Sequence, residues 1–157
     1  ASPSVIVLQF AYQRDLSGAL IRFYQRGWPT HVDAVMPDGR LLGARLGRCG
    51  ALRPGVQIRK PGYAPFVRTE RVVLDVSALA EAAFHAFLEG QLGKPYDWRA
   101  ILAFAVHRDW RERDAWYCSE LIAAALEHAR FFPRPLPSPV NLLTPRDLLL
   151  LVSPWAQ

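Results

Sequence analysis

The chain has 157 residues, 51% of them apolar or aromatic and 21% charged, which fits one globular domain over 1–157 and excludes a disordered or repetitive polymer. Nineteen basic against fourteen acidic side chains leave a formal net charge of +5, which favours an anionic partner, but no stretch reads as a nucleic-acid motif. No run of 18 apolar residues predicts a membrane span, and Ala1 to Phe10 lacks the basic start of a signal peptide, so the compartment, cytoplasm or cell wall, stays open.

Val5 to Phe10 predicts a short buried strand. Asp15 or Ser17 can cap a helix running to about Arg26, with Leu16, Leu20, Ile21, Phe23 and Tyr24 as its apolar stripe and Gly27 and Pro29 as its stop. His31 to Met36 and Arg40 to Arg45 read as a hairpin about the turn Pro37-Asp38-Gly39. Val56 to Lys60 predicts a short strand and Val67 to Val76, rich in β-branched residues, a better one. A helix follows from Ser77 to about Leu92, and Gly93 stops it. Trp98 to Val106 reads as helical and Arg108 to Asp114 as a charged connection. Cys118 to Arg130 is the clearest helix, with Leu121, Ile122, Ala125 and Leu126 on one face. Four prolines between Pro133 and Pro139 make an extended loop, and Thr144-Pro145 starts a last helix. The result is an α+β domain with an antiparallel sheet packed against helices.

Two cysteines are too few for a disulfide scaffold, although one bridge is compatible with the sequence. Cys49 sits in a loop, Cys118 at the mouth of a helix. A thiol at a helix N-terminus meets the positive end of the peptide dipoles, which favours thiolate, and free N–H groups there can hold an oxyanion. The same position also suits a cysteine that merely fills the core. His31 and Asp33 lie two apart on one strand and therefore share a face, so Asp33 can fix the imidazole tautomer that a general base needs. His85 and His128 read as surface residues of helices, and His107 lies in a polar stretch. No set of side chains has metal-ligand spacing, and no phosphate-binding glycine loop or serine elbow is present, so neither metal nor organic cofactor is expected.

Gly93-Lys94-Pro95-Tyr96-Asp97-Trp98, followed by Tyr117-Cys118-Ser119-Glu120-Leu121-Ile122, resembles the paired motifs of NlpC-type cell-wall hydrolases, which are papain-like cysteine peptidases. In that family the histidine strand follows the cysteine helix. Here Thr30-His31-Val32-Asp33-Ala34-Val35 precedes it, an inverted order similar to the circularly permuted branch, the YaeF/YiiX-like amidases, and to the lecithin:retinol acyltransferase relatives. The wording of these motifs also resembles small phage and prophage proteins.

The resemblance implies a permuted papain-like fold with Cys118 as nucleophile and His31 as base. It implies that Tyr96, beside Tyr117 and Glu120, lines the substrate or oxyanion site. Glu120 also suits a structural role in the first helical turn. The family's third catalytic member lies on the strand after the histidine. Leu41-Leu42-Gly43-Ala44-Arg45 offers no such group, which leaves Asp33 or a backbone carbonyl to orient His31. The expected activity is amide cleavage through a thioester, most naturally in peptidoglycan stem peptides. The alternatives are the same chemistry on a lipid amide or ester, with Phe131-Phe132 as an apolar rim, and a papain-like module that binds without catalysis.

Overall fold

The computed structural model describes residues 2–45, 54–97, 99 and 115–157. Its elements are β1 (Val5–Tyr12), α1 (Leu16–Gln25), β2 (His31–Val35), β3 (Leu41–Arg45), β4 (Gly55–Arg59), β5 (Arg68–Asp75), α2 (Ala78–Gly90), α3 (Cys118–His128) and α4 (Pro145–Val152), with short 3₁₀ turns at Val140–Leu142 and Ser153–Trp155. The expected helix over 98–106, apart from Arg99, and the connection over 108–114 lie outside the described residues, as do Cys49 and His107.

The strands form one open antiparallel sheet in the order β4-β3-β2-β1-β5. The protein is therefore α+β. Alternation divides the sheet into two faces. Ile6, Leu8 and Phe10 of β1 pair with Leu74, Val72 and Glu70 of β5, while Leu8 and Phe10 pair on the other side with Ala34 and Val32 of β2. These apolar residues, with Leu42, Ala44 and Val56, pack against Phe84 and Leu88 of α2 and Leu121, Ile122 and Leu126 of α3. The opposite face carries Gln9, His31, Asp33, Arg45, Gln57 and Arg59.

Local chemistry fixes the helix ends. Ser77 caps α2 by accepting from the Ala80 amide at 3.2 Å. Thr144 and Asp147 close a reciprocal capping box on α4, with Pro145 at its first position. Gly55 has φ +93°, and a Cβ there would stand 2.5 Å from the Lys94 carbonyl oxygen. That carbonyl accepts from Val56 N–H at 2.9 Å, and Gly93 N–H donates to Val56 O at 2.9 Å. The close approach pins the Gly93–Tyr96 segment to β4, and Tyr96 in turn bridges Trp116, two residues before Cys118.

Among the described side chains of α1 the apolar stripe does not face the core as its spacing predicts. Only Ile21 is buried among its large apolar groups, whereas Leu20 is 49% and Phe23 is 87% exposed. Periodicity locates a stripe, but it does not say which way the helix is rolled.

Candidate active site

Cys118 is the first residue of α3 and is 1% exposed. The α3 N-terminus packs on β2, and a break in the sheet gives its sulfur a partner. At the hairpin, Met36 N–H donates to Arg40 O at 2.8 Å, so the amides of Ala34 and Val32 also turn toward β3. The β2–β3 ladder covers only Ala34↔Leu42 and Val35↔Leu41. Beyond it, the backbone amides of Val32 and Ser119 act on the Cys118 sulfur. The sulfur thus feels the amide of the residue that follows His31.

Glu120, fully buried, accepts from Tyr117 N–H at 3.4 Å and closes the first turn of α3. Ser119 Oγ donates to Leu143 O at 2.5 Å and ties the same turn to the segment before α4. Tyr117 is fully buried, and its ring meets that of half-buried Tyr96 at 5.9 Å. Cys118, Tyr117 and Tyr96 therefore form one group, and Glu120 acts on it through the helix end.

On the polar face, His31 Nε2 lies 2.8 Å from Asp33 Oδ1 and 3.0 Å from the Tyr63 hydroxyl oxygen, while the Tyr63 O–H donates to Asp33 Oδ2 at 2.7 Å. With the tyrosine proton committed to Asp33, the Nε2 hydrogen points to Oδ1 and Nδ1 carries the lone pair. The Phe66 ring stacks on the imidazole at 6.4 Å. Arg45 Nη1 donates to the Tyr63 hydroxyl at 3.4 Å and Arg45 Nη2 to Gln13 Oε1 at 2.6 Å. Arg59, also buried, donates to the carbonyls of Gly43 and Gly55. Asp33 fits only because the facing residue on β3 is glycine: a Cβ on Gly43 would stand 1.9 Å from Asp33 Oδ1. The strand after β2, which carries no side chain that could orient His31, supplies room for Asp33 instead.

Alternation sends His31 and Asp33 to the side of β2 opposite Val32, and among the described residues no hydrogen bond joins His31 to Cys118. The sulfur and the imidazole meet the strand at consecutive residues, one through a backbone amide and one as a side chain. Tyr63 is the component that the sequence reading does not find.

Burial, not the helix dipole, decides the resting charge of the thiol. Desolvation pushes Cys118 up to about 12, and the Asp33 charge adds to this, against the lowering effect of the Val32 and Ser119 amides and the Tyr117 hydroxyl. Burial also lowers His31 below 6.5, and the Arg45 and Arg59 charges act in the same direction, outweighing Asp33. Burial raises Asp33, but the His31 charge and hydrogen bond, the Tyr63 hydroxyl and Arg59 together bring it below its ordinary value. At neutral pH the site therefore holds a thiol, a neutral imidazole and a carboxylate. Alkylation of Cys118 by iodoacetamide is accordingly expected to be slow at pH 7 and to rise about tenfold per pH unit through pH 9. A rate already at its plateau near pH 7 shows a thiolate and contradicts this assignment.

Phe131 packs on Phe132 and Trp155, with ring centroids 5.2 and 5.9 Å apart. This cluster follows the C-terminal end of α3, about 16 Å from its tip, so it does not rim the sulfur. No group of His, Cys, Asp and Glu among the described residues could hold a metal ion, and no described helix is long and apolar enough to cross a membrane. The chain matches no protein-family model, no curated protein and no solved structure.

Proposed function

We propose that this protein is a cysteine hydrolase of circularly permuted papain-like type that cleaves an amide through a thioester, with peptidoglycan stem peptides as its substrate. What carries the reading is the Cys118 sulfur at the tip of α3 within the influence of the Val32 amide, the residue that follows a histidine whose Nε2 is held by Asp33 and Tyr63. The motif pair and the order of strand before helix add to it.

The reaction starts from neutral partners. His31 Nδ1 accepts the thiol proton as Cys118 sulfur bonds to the amide carbon, and Asp33 stabilises the imidazolium that forms. N–H groups of the first turn of α3 and the Tyr96 hydroxyl donate to the oxyanion. Collapse breaks the C–N bond, and the amine leaves with the proton from His31. Water then gives its proton to His31 and its oxygen to the acyl carbon, releasing the acid and restoring the thiol.

Purified sacculi test this directly. Wild-type protein is expected to release free amines, and Cys118→Ala to lower the rate at least about a thousandfold. Equal release by both proteins sinks the peptidoglycan assignment. The deeply buried, high-pKa thiol favours the second reading, a papain-like module that binds a wall peptide without cutting it. Sacculus binding without amine release supports that reading.

A further inference from the structure

We propose that the outer face of α1 and the loop after it dock on the surface of an anionic lipid bilayer. Ala19, Arg22 and Phe23 of α1 face solvent with Leu20 beside them, Arg26 just past the helix end is exposed too, and Ile21 and Gln25 hold the inner side. A phenylalanine 87% exposed and a leucine 49% exposed on one short helix forgo burial that the core next to them could have provided.

The apolar groups stand among cations. Arg22, Phe23, Arg26 and Trp28 line one hollow, and Tyr12, Arg14, Asp15 and Arg22 line the hollow next to it. The Arg68 guanidinium lies 4.0 Å over the Trp28 ring, and Arg22 lies 4.4 Å over Tyr12. Arg146 closes the end of the surface at Gly27, where a Cβ would stand 2.7 Å from its Cδ. Asp15 and Glu70 are the acids here, and Glu70 is paired with Arg68 at 3.2 Å. Arginines around an exposed Phe and Leu match the two layers of a bilayer interface, phosphates outside and acyl chains beneath. A single-stranded nucleic acid fits less well: arginines already cover the Tyr12 and Trp28 faces on which bases would stack, and Leu20 offers no platform. This surface adjoins the candidate site, because Gln13, just before α1, accepts from Arg45, and the Asp15 charge acts on the Tyr96 hydroxyl.

The test is co-sedimentation of the full chain with phosphatidylcholine vesicles, with and without phosphatidylglycerol. Wild type is expected to bind the anionic vesicles selectively and to be released by salt. Phe23→Ser is expected to weaken binding roughly tenfold, and Arg22→Ala and Arg26→Ala roughly fivefold each. All three side chains are exposed, so thermal melting should match wild type. Leu79→Ser, at an 81% exposed position on α2, should bind like wild type. Cys118→Ala should also bind like wild type, which separates this proposal from the hydrolase reading. Three results overturn it: no preference for anionic vesicles, α1 variants that bind like wild type, or an equal affinity for a single-stranded oligonucleotide lost in the same variants.

Discussion

Gly43→Ala is expected to destabilise the protein by about 3 kcal/mol, a large effect for one added methyl group. The new Cβ would stand 1.9 Å from Asp33 Oδ1 and 3.0 Å from its Cγ. A flexible surface side chain would swing aside. The Asp33 carboxyl cannot, because His31 Nε2 and the Tyr63 hydroxyl hold it at 2.8 and 2.7 Å and it is 1% exposed. Two responses remain. The carboxyl can leave both partners, which strands buried polar groups, or β2 and β3 can separate further and open the core above them. Both are costly, and both displace His31, so the proposed hydrolysis should fall with stability. Urea unfolding midpoints at unchanged slope measure the loss. A change smaller than about 0.5 kcal/mol means that the carboxyl has room the structure does not give it.

The same glycine shows what a sequence can and cannot express. The five strands, the helix after Ser77, the cysteine helix and the Thr144-Pro145 helix start were legible because period, caps and turn residues are local signals. The pairing of His31 with Asp33 was legible for the same reason, since two residues apart on a strand share a face. The register that sets Gly43 against Asp33 is non-local. A stretch without carboxylate, amide or imidazole looked like a missing catalytic partner, when its contribution is an absent side chain.

Tyr63 was hidden in the same way. It lies in the turn after Lys60-Pro61-Gly62, 30 residues from Asp33, and nothing nearby in sequence sets it apart from an ordinary loop tyrosine. The two readings of Cys118 stayed open for a related reason: the helix tip is visible in sequence, whereas the burial that overrides it depends on where β2, Tyr117 and Tyr96 end up. On α1 the periodic stripe was readable, but the roll that exposes Phe23 was not.

Asp33→Ala is expected to cost about 3–5 kcal/mol at pH 7, the range for removing one partner of a buried charged pair. The loss is this large because the carboxylate serves two buried donors at once, and after its removal the Nε2 hydrogen can turn only to the Tyr63 oxygen while the Tyr63 hydroxyl proton loses its acceptor. Tyr63→Phe is the matched comparison. It removes the hydroxyl that donates to Asp33 and accepts weakly from Arg45 but leaves Asp33 on His31, so it should cost only about 1–2 kcal/mol. The pH dependence separates the contributions further. His31 is lowered from 6.5 in the folded protein, so the unfolded chain takes up its proton first; the stability from neutral His31 is complete above pH 6.5 and declines below it. Asp33 is lowered from 3.8, so its contribution persists until the pH falls below that value and then declines in turn. Wild type should therefore lose stability on acidification in two stages. Asp33→Ala removes the second stage and steepens the first, because the imidazolium no longer has the carboxylate beside it and its pKa falls further. Unfolding free energies measured between pH 3 and 8 decide the matter. If the first stage is equally shallow in both proteins, Asp33 does not support the charge on His31, and the proposed general-base role of the imidazole loses its orienting group.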